Sequence, residues 1–560
     1  MSSTISTRVS LQWLFLLVFC INSSVVFASS LQPTSGKKYY VNAATGKDAN
    51  PGPFRKPFKG LNSIDKLLLG PGDTVFLAAG SEFKGSLELK NVKGAAGNPV
   101  VITTYGIDRA GARHAFIDAA GHHSGVYIVN CSFVEVSRLS ISANGGGMIA
   151  EEDKNRKMRC GVLVTTDAPG LYQHIVLNEL SISDVYFENP GFVRDPKEVR
   201  TENGTQSYGW GIRFITTTNG AVLKDMSVRN STVKRVSHTG IKITANGKSI
   251  ENILVAGNEV TQVGGPGIQM SGVAGGLISE NKVDGSGSNA DSRHWARGSG
   301  LWTWGTSDVL IEKNQFLNAR GPGDSAGAHI DFNCNNIILQ YNLSVNNAGG
   351  FCEILGNNHN CAYRYNVSIN DGWRIKGQEG AFQEGKIFWL SGYIGNKNKP
   401  YGPFNSYFYN NTIFVKNEMD ARFAVASSAK GVCIVNNIFY IEGNGSEVKG
   451  DQLVADQKAS VPIERVVFEN NLYLHKAIWP SSLLLQDVRP LYGNPGFVKA
   501  GGLDIADYVP TNTALIRNRG IEVPVIPGDS IGLVPGLKVE WDIMGNMIVG
   551  KPGMGAIHLL

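Results

Sequence analysis

Three things are missing from this sequence, and each absence excludes a class of function. No cluster of basic residues occurs: a net charge of +5 is spread over 560 residues. That pattern gives no case for nucleic-acid binding. Past the N-terminus no stretch is long and apolar enough to span a bilayer. Cysteine is scarce, seven in all, and its spacing fits neither a zinc site nor a compact disulfide framework.

The one apolar run follows Arg8, reads LQWLFLLVFCI and ends in the small residues of VFASS. Residues 1–28 therefore read as a signal peptide cut after Ala28. The expected location is secreted or periplasmic, with no membrane attachment after cleavage. Six cysteines then remain and read as buried thiols, Cys352 and Cys361 being the only close pair.

What the chain has in abundance is glycine, 67 residues without a collagen period, which implies many tight turns between short strands. It also repeats. SVRNSTV, VAGNEVT, ISENKVD, IEKNQFL, LQYNLSV and YRYNVSI each set an asparagine among apolar or β-branched residues. These are Asn230, Asn258, Asn281, Asn314, Asn342 and Asn366, at intervals of 28, 23, 33, 28 and 24 residues, with Asn410, Asn436 and Asn470 continuing the series. Spacing in the twenties is that of one coil of a β-solenoid. Asparagine suits a sharp bend, because it tolerates left-handed backbone and its amide can bond to the next coil.

A second column has the form glycine, apolar, variable, apolar: GVYI from Gly125, GVLV from Gly161, GIRF from Gly211, GIKI from Gly240, GIQM from Gly267 and GLWT from Gly300. HIDF from His329 and FCEI from Phe351 extend it without the glycine. Period-two alternation turns the apolar residues inward. The outward slots then read Tyr127, Leu163, Arg213, Lys242, Gln269, Trp302, Asp331 and Glu353.

These repeats, with the opening KKYYVNAATGKDANPGPFRKPFKG and the closing MGAIHLL, resemble the right-handed parallel β-helix proteins that act on polysaccharides, both lyases and glycoside hydrolases. The resemblance implies an all-β solenoid with an Asn ladder, a single elongated domain over residues 29–480, and an irregular closing segment over 481–560. It implies a polysaccharide or oligosaccharide partner, and a monomer. It specifies fold well and reaction poorly, since one scaffold serves several chemistries.

On this reading Asp331 and Glu353 face outward from adjacent coils, about 5 Å apart. Two carboxyl groups that close push one pKa upward and leave an acid beside a base, which glycoside hydrolysis requires. His329 lies beside them and Asp324 in the turn before. Trp302 and Trp304 offer faces on which a sugar ring stacks. Elimination on a uronate would need a base and a cation, which Lys242, Arg213, His238, His329 and Arg297 could supply. Two insertions, around HWARG and over residues 371–403, should wall the groove. The second brings Arg374 and Lys376 as ligands for an anionic sugar, and Glu379 and Glu384 as alternative acids. No cofactor is required, calcium held by the acids being the one candidate. Hydrolysis is the leading expectation, followed by elimination and then by a non-catalytic glycan-binding solenoid.

Overall fold

Apolar and β-branched residues alternate through short segments along the chain, and in the computed structural model these segments become strands that stack coil upon coil. It describes residues 36–107, 113–119, 121–147, 158–202, 204–205, 207–448 and 462–559. The expected signal peptide, residues 1–28, lies outside the described residues. Strands pair in parallel across three sheets of 14, 12 and 14 strands among the described residues. The first runs from Lys38–Val41 to Glu464–Glu469, the second from Leu87–Lys90 to Gly445–Glu447 and the third from Glu82–Lys84 to Leu491–Tyr492. Inward side chains from all three sheets, Ile212, Val233, Ile243, Val255, Met270 and Phe316 among them, merge into one continuous buried core.

The glycine column is a steric requirement of this stacking. A Cβ on Gly211 would stand 2.5 Å from the carbonyl oxygen of Gly240; on Gly240, 2.8 Å from that of Gly267; on Gly267, 2.7 Å from that of Gly300. Each coil leaves room at this point for a hydrogen atom only.

The asparagine ladder forms, with a correction to its membership. Nδ2 of Asn258, Asn281, Asn314 and Asn342 donates to Oδ1 of the next member at 2.9–3.0 Å. It then runs from Asn366 through Asn411 and Asn437 to Asn471, not through Asn410, Asn436 and Asn470. The residue before each ladder position takes the left-handed turn: Gly257, Glu280, Lys313, Tyr341, Tyr365, then Asn410, Asn436 and Asn470. In each Asn-Asn pair the first residue bends the chain and the second bonds the ladder. Asn230 is likewise a left-handed residue, and the ladder slot there belongs to Ser231, whose N–H donates to Asn258 Oδ1 at 3.0 Å.

After Tyr492 the chain runs along the outside of the solenoid. Tyr508, Ile516 and Ile557 pack on Phe414 and Ile438 of the third sheet, and Ile526 and Leu533 pack on Tyr407 and Tyr409 of the first. The second sheet keeps its outer face for the site. The six described cysteines are buried and outside any disulfide among the described residues, Cys352 and Cys361 included. No helix among the described residues is long and apolar enough to cross a membrane.

Candidate active site

The outward column of the second sheet has the register Arg213, Lys242, Gln269, Trp302, His329. Ile330 pairs with Ile354, so Glu353 stacks on His329. The expectation that Asp331 fills this slot is corrected: its coil is framed GAHI from Gly327, not HIDF from His329. Gly327 takes the glycine position, and a Cβ on Gly300 would meet its carbonyl oxygen at 2.4 Å. Asp331 follows the strand Ala328–Ile330, one outward position further along, in line with Trp304. Phe332, expected inside, lies outside and sets its ring edge-on to Trp304 at 5.8 Å.

These residues line a cavity of about 430 Å³, with Asp324, Arg297, Gln383, Glu202 and Tyr393 among its walls. Trp302 and Trp304 both point into it, Trp304 40% exposed. The inserted loops contribute Arg297 on one side and Gln383, Tyr393 and Asn396 on the other. The sequence reading missed the loop that carries Arg200 and Glu202. Glu202 Oε1 accepts from Asn396 Nδ2 at 2.9 Å and from Tyr393 Oη at 3.3 Å, tying two loops over the cavity. The long gap between the strands ending at Tyr186 and starting at Tyr208 was the available signal.

Four carboxyl groups line this cavity, those of Glu202, Asp324, Asp331 and Glu353, and the last three differ in charge. Asp324 sits in a fork: Arg297 Nε donates to Oδ2 at 2.7 Å and Nη2 to Oδ1 at 3.1 Å. Burial opposes its charge, but Arg297 outweighs burial and holds the carboxyl below its usual range. Asp331 accepts Trp302 Nε1–H at 2.7 Å and the Phe332 N–H at 2.8 Å. Burial, reinforced by the charge of Asp324, nevertheless pushes it up to about 7. Glu353 is raised for the same two reasons, against the pull of Lys386. One ionised carboxylate thus faces two that hold protons near neutrality.

His329 pairs its Nδ1 with Ser299 Oγ at 2.8 Å. Burial drives its pKa down to about 4, so it is a neutral hydrogen-bonding group at pH 7. Burial and then Arg213 bring Lys242 down to about 7. His238 does not reach the cavity: it stacks on Trp295 at 4.6 Å between ring centroids, fully buried. Arg374 is also structural, donating to the carbonyl oxygens of Gln383, Gly321 and Asp324. Lys376 is exposed, outside the cavity walls. Glu379 borders a separate cavity of about 540 Å³ beside Trp373 and Arg320, where Asp291 is locked by Arg293. Glu384 pairs with Arg422 at 3.7 Å. Among the described residues no group of three His, Cys, Asp or Glu side chains is placed to hold a metal ion.

The molecule is a right-handed parallel β-helix. Residues 210–386, the stretch that carries most of the site, match the family described as "Right handed beta helix region". Over 94% of its length the chain is 23% identical to lacto-N-biosidase from Bifidobacterium longum subsp. longum, and it spans 36% of that protein. Among solved structures it is similar to the GH136 lacto-N-biosidase from Eubacterium ramulus. That match has 24% identity and a TM-score of 0.51, and covers 71% of this chain and 68% of the other. It is also similar to the PL6 family alginate lyase AlyGC, with 12% identity and a TM-score of 0.51, covering 81% of this chain and 53% of the other.

Proposed function

We propose that this chain is a glycoside hydrolase acting outside the cell on an oligosaccharide or polysaccharide, with Asp331 as general acid and Asp324 as the facing carboxylate. The observation that carries the reading is the split in charge between two acids on one cavity. Carboxyl groups whose surroundings drive their pKa values apart are the acid and base that glycosidic cleavage needs. Asp331 gives its proton to the glycosidic oxygen as the bond to the anomeric carbon breaks. Asp324 either attacks that carbon or takes the proton of the incoming water. Glu353, kept protonated by burial, is a hydrogen-bond donor on the same wall, and Trp302 with Trp304 provides the stacking surface for a sugar ring. Similarity to two lacto-N-biosidases also favours hydrolysis. Export is supported by the apolar run after Arg8 alone.

One observation favours a second reading. Lys242, with its pKa near 7 and Arg213 alongside, resembles the base and cation required for β-elimination on a uronate. The test is a glycan screen read both for new reducing ends and for 4,5-unsaturated uronate. Reducing ends alone, lost in Asp324→Asn and Asp331→Asn, are expected. Unsaturated products that survive both substitutions and vanish in Lys242→Ala would replace hydrolysis by elimination.

A further inference from the structure

The wall of the cavity carries two basic groups that form no ion pair among the described residues. Arg213 and Lys242 are partners across adjacent coils, 6% and 5% exposed, and both line the cavity. Neither forms an ion pair among the described residues, and the Lys242 ammonium has no hydrogen-bond acceptor there. The Arg213 guanidinium lies over the Trp210 ring at 4.3 Å. Its Nε has no partner, and Nη1 reaches only Met158 Sδ at 3.5 Å.

Neighbouring arginines behave otherwise. Arg194 holds Glu188 and Glu198, Arg293 holds Asp291, and Arg297 holds Asp324. Two basic groups side by side in a nearly buried slot, against the Trp210 ring but with no carboxylate partner, oppose folding when both are charged. A ligand that supplies the missing charge would reverse that cost. None of the cavity's four carboxyl groups forms an ion pair with Lys242 among the described residues, and the charge that bears on it is that of Arg213. Thr244, Gln269 and Ser271 add polar groups to the same wall. Lys242 stands two coils from Trp302, roughly 10 Å along the column. An anion held there belongs to a sugar unit beyond the one over the tryptophan.

We infer that Arg213 and Lys242 form a subsite for an acidic substituent, carboxylate or sulfate, on the glycan that this cavity takes. The inference rests on the reading of the cavity as a glycan site and sharpens it to an acidic glycan cleaved at some distance from its charge. Arg213's planar fork matches either oxyanion, and Lys242 supplies a point charge.

The test separates binding from cleavage. Oligogalacturonate and glucuronoxylan fragments, their carboxyl-reduced forms, and sulfated and desulfated galactan fragments are titrated onto the Asp331→Asn protein at low salt. At least one acidic set should bind ten-fold or more tighter than its neutral counterpart, and which set does so tells carboxylate from sulfate. Lys242→Met and Arg213→Met should each erase that preference while melting at or above the parent temperature. Equal binding of neutral fragments, or discrimination that survives both substitutions, would overturn the subsite. So would a lower melting temperature in both variants, since that means the protein itself was satisfying these charges. A product carrying an unsaturated uronate would remove the hydrolase reading and leave the subsite standing. Hydrolysis of neutral glycans alone would do the opposite.

Discussion

The indole N–H of Trp302 donates to Oδ2 of Asp331 at 2.7 Å, so the stacking surface and the acid are fixed to one another. Trp302→Phe keeps an aromatic face and removes the donor. That hydrogen bond lowers the pKa of Asp331, so its loss should move the alkaline limb of the pH–rate profile upward. Trp302→Ala should weaken substrate binding more than it lowers the melting temperature. An unmoved alkaline limb in the phenylalanine variant would separate Asp331 from the proton transfer.

Asp324→Asn and Asp331→Asn should each cut turnover at least about 100-fold, measured as reducing ends released. They should differ in stability. Asp324→Asn leaves Arg297 buried without its partner, a change of about 3–5 kcal/mol, whereas Asp331→Asn removes a carboxyl that burial already disfavours. Azide rescue of one variant, with the configuration of the glycosyl azide product, would assign the two roles.

Folding should also depend on pH through Asp331. Its folded pKa of about 7 lies above the ordinary aspartate value of about 3.9. Between those values the folded state holds a proton that the unfolded chain has released. The contribution is present in full below about pH 4 and is lost as pH rises through 7. Wild-type melting temperatures should show this decline more steeply than those of Asp331→Asn, and identical slopes would assign Asp331 an ordinary pKa.

Asp331 and Glu353, the acids for which calcium was the candidate ligand, are pushed by burial toward their protonated forms, and a protonated carboxyl is a poor metal ligand. Incubation with EDTA should leave activity unchanged. Activity abolished by the chelator and restored by calcium would return the acids to a metal-binding role.

Two substitutions probe the scaffold. Asn342→Ala breaks the ladder to Asn366 and the bond to the Ile311 carbonyl, at about 1–3 kcal/mol. Gly240→Ala puts a methyl group 2.4 Å from Val260 and 2.8 Å from the Gly267 carbonyl oxygen. It should lower the melting temperature more, being backbone-limited and unable to relax locally.

The coil was legible in the sequence because its rule is local and recurs: an apolar pair inside, a glycine where backbones touch, an amide at the corner. What repeats once per coil can be read by superposition. The frame failed where the glycine signal competed with a more conspicuous polar residue: HIDF drew the eye from GAHI, and a two-residue slip moved Asp331 into the slot of His329. The Asn-Asn pairs misled for a related reason, since one residue type serves both the bend and the ladder. The walls of the site were the least legible. Arg297 reaches Asp324 across 27 residues, and Glu202 reaches Asn396 across 194. No periodicity encodes contacts of that kind, and the same holds for the burial that sets the pKa of Lys242 and Asp331.

The stacked column on the second sheet also acts as a measuring scale. Arg213, Lys242, Gln269, Trp302 and His329 mark successive divisions, each about 4.8 Å from the next. Duplicating or deleting one whole coil between Lys242 and His329 would preserve the core, the glycine contacts and the ladder, because every coil presents the same interface to its neighbours. It would shift the two cations relative to the acids by one division, and the loop contacts that span those coils, such as Glu202 to Asn396, would have to re-form. The distance between the cations and the acids is therefore a quantity that such a chain can change only in whole coils.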